Sequence, residues 1–113
     1  MSDEIKISVS DEIMYQRIEE SVLSLQEVCS FTSDGFQDIM QEITFAFKKR
    51  PPKGIFLRHT KRGIYIDVSV ALIYDCDISS IGKIIQNKIH DIVSELTTEP
   101  ILSIDVAVTE IIK

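Results

Sequence analysis

Two cysteines and two histidines are the side chains in this sequence best suited to covalent, acid–base or metal chemistry. Cys29 and Cys76 fit neither a CxxC pair nor a zinc-ligand spacing. Cys76 stands between Asp75 and Asp77, and adjacent carboxylates disfavour the thiolate that a nucleophile needs. Both cysteines are therefore expected to be buried, inert thiols. His90 falls off the apolar face of a predicted helix, near Asp91 and Gln86, and reads as a solvated surface group. His59 lies inside a basic stretch. It could add positive charge at mildly acid pH, but a spectator role fits it better. Two scattered histidines make no metal site. The four glycines, Gly35, Gly54, Gly63 and Gly82, stand alone, so there is no phosphate-cradling loop. No GxSxG or HExxH pattern occurs. No catalytic, cofactor-binding or metal-ligating residues are expected, and the chain reads as a non-enzyme.

Charge is the more informative signal. Residues 1–47 hold ten acids and two bases, residues 48–62 seven bases and no acid, and residues 63–113 eight acids and three bases. The net charge is −6, so a general polyanion binder is disfavoured, because most of the surface repels phosphate. Lys48, Lys49, Arg50, Lys53, Arg58, Lys61 and Arg62 nevertheless form one local basic segment, the candidate partner-binding patch. Three readings stand, in this order: internal neutralisation of the acidic first helix, a grip on an acidic protein partner through paired hydrogen bonds to carboxylates, and salt-sensitive contact with RNA, DNA or anionic lipid. The acid pairs Asp3-Glu4, Asp11-Glu12 and Glu19-Glu20 read as solvated surface. Asp67 and Asp105 read as lining an exposed sheet face.

The elements that position these groups follow from periodicity. Ile5, Ile7 and Val9 alternate with polar residues and suggest a first strand. Ser10 is suited to cap a helix over residues 11–28, whose stripe is Met14, Ile18, Val22, Leu25 and Cys29. A break over residues 30–35 precedes a shorter helix carrying Phe36, Ile39, Met40, Ile43 and Phe47, which Pro51-Pro52 ends. Residues 55–60 read as a strand, Lys61-Arg62-Gly63 as a hairpin turn using a glycine for positive φ, and residues 64–73 as the clearest strand. Asp77 can cap a helix over residues 78–96, and residues 102–109 alternate as a last strand. This predicts one domain over residues 1–113, of the α+β class. It is a two-layer fold with a mostly antiparallel four-stranded sheet and helices on one face, in the order β-α-α-β-β-α-β. The strand order is not set by the sequence. No apolar run approaches the ~20 residues of a membrane-spanning helix, and the acidic start is unlike a signal peptide. A cytoplasmic protein is expected.

Ile66-Asp67-Val68-Ser69-Val70 followed by Tyr74, the helix pattern Ile78, Ile81, Ile85, Gln86 and Ile89, and Ile104-Asp105-Val106-Ala107-Val108 together resemble the alkaline shock protein family of Gram-positive bacteria. Ile5-Lys6-Ile7-Ser8, Ile13, Ile18 and Glu27-Val28 resemble its opening strand and first helix. The likeness spans residues 5–108 and consists mainly of apolar pattern. Asp75 stands where the family commonly has Gly, and Glu99-Pro100 where it commonly has Thr-Gly. The resemblance implies a stress-associated scaffold without an active site or cofactor. It also implies self-association into a homo-oligomer and placement near the membrane through a separate, membrane-anchored protein partner. The alternative is a polyanion-binding module using residues 48–62. Nucleic acid is not favoured, because RNA-binding sheets stack bases on several aromatics and the central strand offers Tyr65, Asp67 and Ser69.

Overall fold

A computed structural model describes residues 9–32 and 53–113. The expected first strand at 5–9, apart from Val9, and the expected short helix at 36–47 lie outside the described residues. The described elements are helix α1 (Val9–Leu23), strands β1 (Val28–Phe31), β2 (Ile55–His59) and β3 (Ile64–Ile73), helix α2 (Ile78–Leu96) and strand β4 (Ile101–Ile112).

The first helix corrects two expectations. Val9 and Ser10 are already helical, so Ser10 is not the cap. The helix also stops at Leu23 rather than 28. The Ser24 hydroxyl donates to the Ser21 carbonyl at 2.6 Å, and Leu25 N–H turns back to the Val22 carbonyl at 3.1 Å. Such local side-chain bonds and tightened turns compete with helix continuation. Val28–Phe31 then enters the sheet as β1. The apolar spacing through Cys29 is a coincidence of a helix followed by a strand, and Cys29 is exposed rather than buried. Cys76 is partly buried against the core, and both thiols are free.

β3 is the centre of the sheet. β1 pairs antiparallel with its C-terminal half, Phe31 opposite Val70, and β2 pairs antiparallel with its N-terminal half, Leu57 opposite Ile66. The two short strands meet end to end at Ser69. Its N–H donates to the Gly54 carbonyl at 2.9 Å and its carbonyl accepts from Thr32 N–H at 2.8 Å. The other edge of β3 is taken by β4, in parallel, over residues 64–73 against 101–112. Two of the three pairings are therefore antiparallel and one is parallel. A parallel neighbour needs a long crossover, which the 19-residue α2 provides. Asp77 caps that helix as expected, its carboxylate accepting from Ser80 N–H at 3.2 Å.

Both described helices cover the same face of the sheet. Ile64, Ile66, Val68, Val70 and Leu72 from β3 join Met14, Ile18 and Val22 of α1 and Ile85, Ile89 and Val93 of α2 in one aliphatic cluster. Burial of such side chains contributes about 1.5–3 kcal/mol each. The opposite face is wet around Tyr65 and Asp67 but buried at Ser69 and Ala71. The α+β class with helices layered on one face holds.

Candidate functional site

The hairpin joining β2 to β3 turns through Thr60, Lys61, Arg62 and Gly63. The Thr60 hydroxyl accepts from the Arg62 and Gly63 N–H groups, both at 3.2 Å, and Thr60 N–H donates to the Gly63 carbonyl at 2.8 Å. Gly63 has φ +154°, and a Cβ there would collide with the Pro100 carbonyl. A glycine is thus required twice, by conformation and by the close approach of the loop leading into β4.

Of the seven basic candidates, Lys48, Lys49 and Arg50 lie outside the described residues. Lys61 and Arg62 are exposed at the turn. Arg58 lies on the open sheet face with its guanidinium 4.5 Å from the centre of the Tyr65 ring, a cation–π geometry. Lys53 is at the opposite end of β2, about 17 Å of strand away from the turn at ~3.3 Å per residue. Arg58, Lys61 and Arg62 are therefore brought together, and Lys53 is not among them.

Acidic groups interleave with this end of the molecule, which no local sequence signal announced. His59 Nε2 is 3.0 Å from Asp11 of α1, and its Nδ1 is 3.0 Å from Glu99, in the loop before β4. Asp67 and Asp105 sit opposite each other on β3 and β4. Burial, then the charge of Asp105, holds the Asp67 carboxyl above the usual carboxylate range, against the pull of Arg58. The registered strands explain the pair: Ile66–Val70 and Ile104–Val108 are near-copies lying side by side.

The second surface is the outer edge of β4. Among the described residues β4 pairs only with β3. Its register shifts between Ile64 and Tyr65 and again between Val70 and Ala71 of β3. The first shift puts Ile101 against the core and leaves Leu102, expected on the apolar face, 38% exposed. Between the shifts Ile104, Val106 and Val108 point toward the helices. Beside this edge a shallow groove of ≈ 250 Å³ runs along α2, lined by Ile78, Ser79, Gly82, Lys83 and Gln86 of the helix and by Val106 and Val108 of the strand. Beyond its chain neighbours and its own helix backbone, no atom of the described residues stands within 4 Å of where a Gly82 side chain would begin. The Gln86 amide donates to the Ile104 carbonyl at 2.9 Å.

No group of three or more His, Cys, Asp or Glu side chains could hold a metal among the described residues. No described helix is long and apolar enough to cross a membrane. Comparison with protein families matches the whole of residues 1–113 to a family described by a cell envelope-related function. The chain belongs to the alkaline shock protein family. No curated protein and no solved structure matches it. The description of the alkaline shock protein family names a place of action rather than a reaction. Of its segments noted in the sequence, Ile13 and Ile18 lie in α1 and Val28 opens β1, and the others among the described residues occupy β3, α2 and β4, the part of the fold that builds the edge and its groove. The two departures fall at the two junctions within this unit, one on each side of α2. Asp75 adopts φ +68° after β3, the conformation glycine takes most easily, and Glu99 meets His59.

Proposed function

We propose that this protein is a non-enzymatic scaffold of the cell envelope system that self-associates along the outer edge of β4 and presents the β2–β3 hairpin to a protein partner. The observation that carries this reading is the open edge itself. β4 is 12 residues long, one side of it is unpaired among the described residues, and a shallow groove of mixed polar and apolar lining flanks it. Unpaired backbone groups on an edge template another strand.

A second copy fits this edge by two-fold symmetry, which requires a self-complementary strip. Antiparallel pairing centred on Val106 sets Ile104 opposite Val108 on the helix side and Asp105 opposite Ala107 on the open side. No like charges then face each other directly, which would be destabilising. Lys61 and Arg62 are the exposed charges that a protein partner would meet at the hairpin, and a membrane-anchored partner there would hold a cytoplasmic scaffold at the membrane periphery. Polyanion binding is the weaker reading, because Glu99, Asp11, Asp67 and Asp105 share that end of the molecule with Arg58, Lys61 and Arg62.

Sedimentation of wild type and Val106→Lys across a concentration series tests the scaffold. The variant is expected to cost about 1 kcal/mol or less, since Val106 is only half-buried and a lysine stem can carry its charge to water. It should remain monomeric where wild type associates. Wild type that stays monomeric throughout, or a variant that assembles equally well, would sink the proposal.

A further inference from the structure

Three segments far apart in sequence converge on His59. Its Nε2 lies 3.0 and 3.1 Å from the two carboxylate oxygens of Asp11, in the first turn of α1. Its Nδ1 lies 3.2 and 3.0 Å from those of Glu99. Glu99 is itself placed by a short turn, its N–H donating to the Thr97 hydroxyl at 3.1 Å. Both ring nitrogens therefore face acceptors. A neutral imidazole has one donor and one acceptor, whereas the imidazolium has two donors. Only the charged ring can hydrogen-bond to both carboxylates at once. In the neutral ring one nitrogen turns a lone pair toward an anion, and that contact becomes repulsive.

The surroundings bias the ring toward its charged form. Partial burial works against the charge, but Glu99 and Asp11 outweigh it and hold the imidazole above the ordinary value of 6.5. On its own strand and turn the neighbouring charges are Arg58 and Lys61. From α1 the facing group is Asp11, with Glu12 next to it in sequence. From the loop before β4 the facing group is Glu99, and farther along the helices Arg17 and Glu95 are occupied with each other at 3.3 Å.

We infer that His59 is a proton-controlled tie that, when charged, fastens the first turn of α1 and the α2–β4 loop to the β2–β3 hairpin, and on losing its proton to solvent releases one of the two. The place gives the tie leverage. Gly63, which ends the turn, packs against the Pro100 carbonyl, and Ile64 N–H donates to that same carbonyl at 2.8 Å. Pro100 directly follows Glu99, so the tie sits where β3 and β4 both begin. It does not depend on whether copies pair along β4.

The direction of the effect follows from linkage. A histidine raised by its folded partners contributes stability that is complete below its unfolded value, about 6.5, and disappears as pH climbs through the higher folded value. The test is imidazole NMR titration of the full chain, with thermal unfolding of wild type and His59→Gln at about pH 5.5 and about pH 8.5. The His59 midpoint is expected above the ordinary value and should move down in Glu99→Gln and in Asp11→Asn. The wild-type advantage in Tm over His59→Gln should be present at the acid condition and largely gone at the alkaline one. A midpoint at or below the ordinary value in wild type, or a Tm advantage equal at both conditions, would overturn the tie.

Discussion

β3 and β4 carry almost the same five residues, Ile66-Asp67-Val68-Ser69-Val70 and Ile104-Asp105-Val106-Ala107-Val108, paired position for position, yet they live in different surroundings. In β3 Ile66, Val68, Ser69 and Val70 are fully buried. In β4 Ile104, Val106 and Val108 are only half-buried, and Asp105 and Ala107 are exposed. The difference is one of position. β3 is bordered by β1 and β2 on one side and by β4 on the other, whereas among the described residues β4 has a strand on one side only. An alternating pattern says which face of a strand turns inward. It does not say how many neighbours the strand has.

The two outer edges of the sheet sharpen the contrast. The free side of β2 is closed by α1. The Tyr15 hydroxyl, on a side chain only 4% exposed, accepts from Leu57 N–H at 3.1 Å. Along β4, among the described residues, the Gln86 amide donates to the Ile104 carbonyl at 2.9 Å. One edge is sealed by a buried side chain, and the other is lightly capped beside an open groove.

The largest expected effect comes from truncating the twin isoleucines. Ile66→Ala should cost about 3–5 kcal/mol, as a fully buried side chain leaves a cavity. Ile104→Ala should cost less than half of that. Urea unfolding of both variants checks it, and equal losses would mean that β4 is as deeply packed as β3. Next comes the sealed edge. Tyr15→Phe leaves Leu57 N–H buried without its acceptor, at an expected cost of about 1–3 kcal/mol. Burial pushes the Tyr15 hydroxyl up to about 12 from 10.0. With a raised folded value, its contribution is complete below pH ~10 and lost as pH rises toward ~12. Wild type should therefore lose stability in that window relative to Tyr15→Phe, and parallel stability curves would contradict the assignment. The smallest effect on stability belongs to Lys61→Glu with Arg62→Glu. Both side chains are exposed, so the change should stay within about 0.5 kcal/mol while weakening capture of a protein partner. An unchanged set of captured partners would remove the hairpin from the proposed interface.

Much of the fold was legible in the sequence. The strict alternation over residues 64–73 fixed β3, Asp77 marked the start of α2, and Lys61-Arg62-Gly63 marked the turn. What escaped depended on long-range partners. Val28–Phe31 has too few residues to show a period, and its strand state comes from pairing with Val70 and Leu72. Leu102 left the apolar face because of a shift in register with β3, not because of anything in its own segment. At the candidate site the basic side chains were visible as a cluster and the first helix as an acidic counterweight, but the particular acids that meet His59 were not. Asp11 and Glu99 are 48 and 40 residues from His59, and only the packing of α1 and the α2–β4 loop around the hairpin brings them there.

The irregularities at either end of β4 also act as a ruler. Between them residues 103–108 run straight, about 20 Å at ~3.3 Å per residue. A segment pairing with this edge as proposed would lie flat against that window and no farther, because a shift in register twists the edge away and interrupts the ladder. This length limit would admit a short, matched strand while turning away the open-ended stacking that a long flat edge invites.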